Sequence, residues 1–233
     1  MLGFLAKPFG FLLSFLYDIV GDYGIAIVLL SIIVRGCMYP VYKKQILSTA
    51  GMADMQPRMQ EIQRKYANDR ETMNMKMAEL YQEENFNPMA GCLPMVIQMI
   101  VISGLFMLLR YPMEYINNSE MFFAVHDQFL WIKDLSQPDL WILPILSGVA
   151  TFISFWMSQQ NSAMPQGGGN AMMLIMKYFF PIMIVWLART YPSGLAIYWF
   201  ISQFMQIFFN LRFNKLRKDL KEAKKKGNKK KKK

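Results

Sequence analysis

The sequence predicts an all-α membrane protein. It has five transmembrane helices, an N-terminal interfacial helix and a cytoplasmic antiparallel helical hairpin. Three observations carry this reading. Of the 233 residues, 54% are hydrophobic and 18% charged, and the apolar residues fall in long runs, which an ordinary soluble domain does not show. The formal net charge is nevertheless +10, with the cations gathered in one polar stretch and at the C-terminus. That stretch begins abruptly at Lys43, and its apolar residues recur at alternating three- and four-residue steps, the mark of an amphipathic helix outside the membrane.

Residues 1–21 are apolar but interrupted by Lys7, Pro8, Ser14 and Asp18. No small-x-small site follows to mark a cleaved signal peptide. The segment reads as an interfacial helix, with Phe4, Phe9, Phe11 and Phe15 in lipid and Lys7 and Asp18 in water; an uncleaved signal anchor is the alternative. Residues 22–42 form the first span and contain Arg35, with no acidic residue from Tyr23 to Tyr42. A central arginine costs roughly 2.5–3.5 kcal/mol on insertion scales. Either its side chain bends toward Lys43, about 12 Å along the axis, or the surrounding helices hold a wet cavity. The second is favoured, because intramembrane charges usually face one. A kink is expected at Pro40.

Residues 43–87 are the hairpin. Met52, Met55, Met59, Ile62 and Tyr66 form a heptad seam. Asn68 and Asp69 make the turn, and Met73, Met77 and Leu80 line the second helix. The methionines chiefly pack the two helices together; a secondary reading is a pliable surface for varied apolar ligands. Residues 88–110 are the second span, and 111–139 an acidic outer loop with Trp131 and Trp141 as interfacial anchors. Residues 140–158 are the third span and 159–170 a Gly-rich linker. Residues 171–189 form the fourth span, whose clean apolar core, Tyr178 to Ala188, extends only about 17 Å. That is short of the roughly 30 Å hydrocarbon thickness, so it thins the bilayer or sits in a protein groove. Residues 192–211 are the fifth span and 212–233 a basic tail ending in five lysines.

Charge fixes the expected orientation. The 43–87 segment holds seven lysines and arginines, the 111–139 loop one. By the positive-inside rule the hairpin, linker and tail are cytoplasmic and the N-terminus is outside. Several chemistries are excluded. Cys37 and Cys92 form no metal or redox motif and His126 is the single histidine. Neither a phosphate-binding GxxxxGK[ST] loop nor a GxSxG elbow occurs. The chain is expected to be no enzyme and to need no cofactor or metal.

Polar residues inside the spans include Ser31, Gln98, Ser103, Ser147, Thr151, Ser154, Ser202 and Gln203, with Gln206 and Asn210 further along the fifth. Hydroxyls commonly glue helices together at about 0.6 kcal/mol per hydrogen bond, and that reading is favoured for Ser103, Ser147 and Thr151. Ser31 lies one turn before Arg35 on the same face. If Gln98 and Gln203 face that stripe, the bundle encloses a hydrophilic groove.

Six blocks carry a resemblance. They are Ile33-Val-Arg-Gly-Cys-Met-Tyr-Pro40; the paired-helix hairpin that follows; Asn87-Pro-Met-Ala-Gly-Cys-Leu-Pro94 with Gln98-Met99; Trp131-Ile-Lys-Asp-Leu-Ser136; Ile142-Leu-Pro-Ile-Leu146; and Tyr191-Pro-Ser-Gly-Leu195 with Tyr198-Trp199. In order, over nearly the whole chain, they resemble the YidC-type membrane protein insertases of the Oxa/Alb superfamily, in a short five-span form. The chain is expected to be a complete short member rather than a trimmed core. The resemblance implies a bacterial cell-membrane insertase and chaperone. It would receive nascent membrane proteins from the ribosome or the Sec translocon and release them into the lipid bilayer.

The family's groove arginine matches Arg35, its polar partner Ser31, and its aromatic after the Pro-Ser-Gly turn Trp199. Ile100 stands where members often have proline. Phe155 stands where they often have glutamine, leaving Ser154, Thr151 or Gln98 to supply polarity. The expected groove lining is therefore Arg35, Ser31, Gln98, Met99, Ile102, Thr151, Ser154, Trp199 and Gln203. Arg212, Lys215, Arg217 and Lys218 are expected to meet ribosomal RNA or anionic lipid. Two other classes remain. One is a small anion transporter or channel using Arg35, for which no internal repeat is visible. The other is a membrane-tethered RNA binder resting on the tail alone.

Overall fold

The computed structural model describes residues 3–50, 52–84, 93–116, 119–159 and 175–231. Among them the fold is helical, and the only β pairing is an isolated bridge between Phe129 and Ile132. The expected Gly-rich linker and the Asn87–Cys92 block lie outside the described residues.

Helix α1 (Gly3–Val20) buries the stripe Ala6, Gly10, Leu13 and Leu16 against α5 and α2, while Phe4, Phe11, Phe15 and Ile19 stay exposed. It thus has two apolar faces, one for protein and one outward. Phe9, expected in lipid, is half-buried on the core because its position falls beside the packed stripe. Gly21, at φ 69°, ends α1, as a left-handed glycine commonly does. Asp22 then caps α2 by accepting from the Ile25 amide at 2.8 Å.

Helix α2 (Tyr23–Ala50) is continuous past Tyr42, through Pro40 and across the change to polar composition. Its buried face is Tyr23, Ala26, Ile27, Leu30, Ser31, Val34, Arg35, Met38 and Tyr42, a three/four-residue rhythm. Helices α3 (Met52–Lys65) and α4 (Arg70–Glu83) pack through Met55, Met59 and Leu80, with Ile62, Met77 and Tyr81 around them. Asp69 starts α4 by accepting from the Thr72 amide.

Helix α5 (Leu93–Arg110) lies against α1. The following segment is not a bare loop: it holds α6 (Pro112–Tyr115), α7 (Ser119–Ala124) and the bridged turn at Phe129–Ile132. Asp139 caps α8 (Ile142–Gln159), taking the Leu143 amide at 2.8 Å. A five-residue π-helical turn, Ile175–Phe179, leads into α9 (Phe180–Ala188). Pro181 has no N–H to continue the regular ladder, and it stands in the first turn of α9. Helix α10 (Ser193–Lys231) is one uninterrupted element of 39 residues; the basic stretch beyond Leu211 continues it.

Helix α10 packs on α8 and α2 and more lightly on α5; α9 covers α8, where Gly148 lets Val185 approach closely. Around this core runs a belt of exposed large apolar side chains, including Phe11, Ile32, Ile145, Val149, Ile182, Trp186, Phe204 and Phe208. Patches of that extent mark contact with lipid or protein rather than water. Two helical stretches are long and apolar enough to cross a membrane, Tyr23–Lys44 with mean hydropathy 2.0 and Ser193–Leu216 with 1.2. Val96–Arg110, Ile142–Ser158 and Lys177–Ala188 are apolar but shorter. Five elements of full bilayer length are therefore not present among the described residues.

Candidate functional site

Arg35 projects from the buried face of α2 and is 4% exposed. Its Nη1 donates to the Tyr42 hydroxyl at 2.8 Å and, at 3.5 Å, to Gln206 Oε1 on α10. The Tyr42 hydroxyl in turn donates to Gln98 Oε1 on α5 at 3.2 Å. Gln206 donates to Asn210 Oδ1 at 3.3 Å, and Asn210 donates to the Ser154 carbonyl on α8 at 3.1 Å. One polar chain therefore touches α2, α5, α10 and α8.

Among the described residues no carboxylate takes part. The ion pairs among the described residues, Arg58–Glu84, Lys76–Glu79 and His126–Asp134, all lie elsewhere. The guanidinium is held by neutral dipoles, an incomplete answer to a buried charge. Arg35 Nε, the Tyr198 hydroxyl and the Ser202 hydroxyl are buried without a hydrogen-bond partner. Each such group costs about 1–3 kcal/mol unless water or a ligand meets it. Tyr198, Ser202, Gln206 and Asn210 follow one another at four-residue intervals, so they form a single polar stripe on α10. The result is a cationic, donor-rich site. It suits carbonyl or carboxylate groups and contains no nucleophile–base pair; no metal-binding group of His, Cys, Asp or Glu occurs among the described residues.

The other expected lining residues divide. The Ser31 hydroxyl turns back to the Ile27 carbonyl at 2.7 Å instead of joining Arg35; a serine in a helix satisfies itself this way. Trp199 Nε1 donates to Thr151 Oγ1 at 3.1 Å, Thr151 donates to the Ser147 carbonyl at 2.7 Å, and Ser147 donates to the Ala196 carbonyl at 3.4 Å. That second cluster joins α8 to α10. Ile102 is half-buried on the core, and Gln203 is half-buried one turn beyond Trp199. Met99 is 56% exposed, beside exposed Val96 and Ile100. Arg212 and Lys215 are exposed on the α10 extension; the side chains of Arg217 and Lys218 lie outside what is described.

The contacts of Arg35 bear on how far its side chain reaches along α2. Its side chain does turn toward the Lys43 end, yet it stops at Tyr42, because that hydroxyl and Gln206 supply acceptors before bulk water is reached. Tyr42, Gln206 and Asn210 are network residues that sequence reasoning did not assign to the groove lining. The four-residue stripe from Tyr198 to Asn210 is the signal that finds two of them.

A family model described as 60Kd inner membrane protein matches residues 15–222. The chain belongs to the 60Kd inner membrane protein family. The proteins named membrane protein insertase YidC from Citrifermentans bemidjiense and Vibrio cholerae are each 37% identical to it, over 215 and 208 residues. These alignments cover 91% and 88% of this chain, but only 37% and 36% of the relatives. The chain thus spans little more than a third of the length of the curated relatives it matches. A solved structure described as an active YidC insertase, with its first transmembrane domain resolved, aligns with TM-score 0.60 and 28% identity. It covers 88% of this chain and 44% of that one. The matched region runs into α10 as far as residue 222 and includes every residue of the Arg35 network.

Proposed function

We propose that this chain is a membrane protein insertase and chaperone. It moves nascent membrane proteins from the cytoplasm into the bilayer through a hydrophilic groove bounded by α2, α5, α8 and α10, alone or with the Sec translocon. The observation that carries the proposal is Arg35, buried and hydrogen-bonded, among the described residues, to neutral groups of a polar chain that ties four helices together. Support comes also from the family and from relatives named insertases.

The five spans are α2, α5, α8, α9 with its preceding turn, and α10. The N-terminus lies outside, and α3, α4 and the basic end of α10 lie in the cytoplasm, following the distribution of lysine and arginine. The short α9 thins the bilayer on its side. A substrate's short hydrophilic segment enters the groove, where Arg35 Nε and the hydroxyls of Tyr198 and Ser202 offer hydrogen bonds that lipid does not. Charge near Arg35 is favoured because the local dielectric lies below that of water. The apolar segment follows the outward face past Met99 and Ile102, with Trp199, Thr151, Ser154, Gln98 and Gln203 lining the polar side and Ser31 preserving the tight helix contact. Hydrophobic transfer then completes insertion without covalent chemistry. Arg212, Lys215, Arg217 and Lys218 meet the ribosome or anionic headgroups.

Reconstitution into liposomes tests this. Insertion of a small single-span substrate, read by protease protection, is expected to fall for Arg35→Ala and to be partly retained for Arg35→Lys. Equal insertion by wild type and Arg35→Ala of a substrate with an acidic outer segment would sink the groove-charge mechanism. The unpaired guanidinium also fits a small anion transporter or channel. In that case the liposomes conduct anions in an Arg35-dependent way and insert nothing.

A further inference from the structure

A cavity of about 490 Å³, mainly apolar with a few polar side chains, opens at the far end of the bundle from the basic extension of α10. Its walls come from the end of α5, from α6, from the segment after α7 and from the start of α10. They include Arg110, Glu114, His126 and Ser136 together with apolar Leu109 and Val125. The volume lies in the usual range for a ligand site.

The walls are firmly held. Ser136 donates to Asp134 at 2.6 Å, His126 Nδ1 lies 3.3 Å from the same carboxylate, and Ser136 Oγ lies 3.1 Å from that ring nitrogen. The Ser193 hydroxyl donates to the Gln137 carbonyl at 2.6 Å, and the Gly194 amide to the Leu135 carbonyl at 3.2 Å, stapling this segment to α10. Arg110 stands among the rings of Phe106, Tyr111 and Tyr191, at 5.6, 5.8 and 5.7 Å from their centres. Arg110 and Glu114 line one cavity yet form no ion pair with each other. A cation and a carboxylate kept apart in one concave site suit a ligand bearing both signs.

We propose that this cavity binds the zwitterionic phosphoethanolamine headgroup of an outer-leaflet phospholipid. Arg110 takes the phosphate, and Glu114 accepts from the primary ammonium. Two large apolar side chains flank the site and face outward: Met113, 75% exposed, and Phe123, 72% exposed, two residues before Val125. They lie outside every proposed span, and in this proposal the first carbons of the bound lipid's acyl chains cover them. This assignment rests on the reading above that residues 111–139 meet the outer leaflet.

The test uses the full chain in nanodiscs of equimolar phosphatidylethanolamine, phosphatidylglycerol and phosphatidylcholine, with native mass spectrometry reading the lipid retained. Wild type is expected to retain phosphatidylethanolamine at least about threefold over either other lipid, since charge-assisted hydrogen bonds are the strong ones. Arg110→Gln is expected to lower retention of all three, and Arg110→Lys to restore part of it. Glu114→Gln is expected to keep binding but abolish the preference, a change that misfolding does not produce. Arg189→Gln, whose guanidinium lies 4.5 Å over the Trp141 ring, is the control and keeps the preference. Soluble glycerophosphoethanolamine is expected to compete only weakly; full competition would mean a free-metabolite site and overturn the lipid assignment. No enrichment in wild type, or an unchanged preference in Glu114→Gln, would overturn it too. Lipid retention is read without any insertion step. A chain that keeps the preference but inserts no substrate contradicts the insertase reading alone, and one that inserts but shows no preference contradicts this site alone.

Discussion

Replacing Tyr42 by phenylalanine removes the closest hydrogen-bond partner of Arg35 and leaves Nη1 with the 3.5 Å contact to Gln206. Losing a partner of a buried charged donor is expected to destabilise the fold by about 1–3 kcal/mol, measured as a lowered unfolding midpoint in detergent micelles. Insertion of acidic-tailed substrate is expected to fall in parallel, because the guanidinium is no longer aimed into the polar chain. At this scale the sequence was informative about Arg35 and weak about its partners. A charge inside an apolar run stands out on composition alone. Tyr42 did not, since an aromatic counts as apolar until its hydroxyl finds a role, although two helical turns place it on the Arg35 face. Ser31 shares the Arg35 face, but its hydroxyl bonds to the helical carbonyl of Ile27 one turn back, a choice that position on the face does not reveal.

Among the elements, α8 depends most visibly on a single side chain. Asp139 accepts from the Leu143 and Trp141 amides and from the Trp131 indole at 3.0 Å. Partial burial pushes its carboxyl up, but the Trp131 indole and those amides more than offset this, so it ionises below the usual carboxylate range. Asp134 behaves alike: burial raises it, and bonds from Ser136 and His126 outweigh the rise. A depressed native value contributes stability that is present above the ordinary carboxyl pKa and lost as pH falls through the native one. Trp131 fluorescence is therefore expected to stay constant from pH 7 to about 5 and to change below about 4. Asp139→Ala is expected to cost about 1 kcal/mol as a lost helix cap and to remove part of that acid response. Gly148→Leu drives a side chain into Val185 and is expected to loosen α9 from α8, seen as faster amide exchange in α9. Helix existence was legible from period and apolar runs. Helix ends were not, because backbone hydrogen bonding does not stop where polarity changes. That is why α2 runs on to Ala50 and α10 to Lys231.

At the scale of the whole molecule, the proposed orientation makes an accessibility prediction. With Cys37 and Cys92 replaced, a cysteine at Gln128 is expected to react with an impermeant maleimide added outside intact cells. One at Asn74 is expected to react only after lysis. Deleting the chain after Arg212 is expected to abolish ribosome binding, while substrates inserted without ribosomes still enter liposomes. The all-helical class was readable from composition, since long apolar runs permit little else. Bilayer length was not, because a bundle whose members are of unequal length distributes its exposed apolar belt over neighbours that no single-helix count reveals.

The unbroken α10 has a mechanical corollary. Gln206 and Asn210 sit near the middle of a rod whose far end carries the lysines, roughly 30 Å further along at 1.5 Å per residue. With no joint between them, azimuth at one end fixes azimuth at the other. A single alanine inserted after Arg212 turns the cationic end by about 100° and leaves the polar stripe where it was. Docking geometry and groove chemistry are in this way phased by one helix, and a shift of that phase uncouples them without altering either surface.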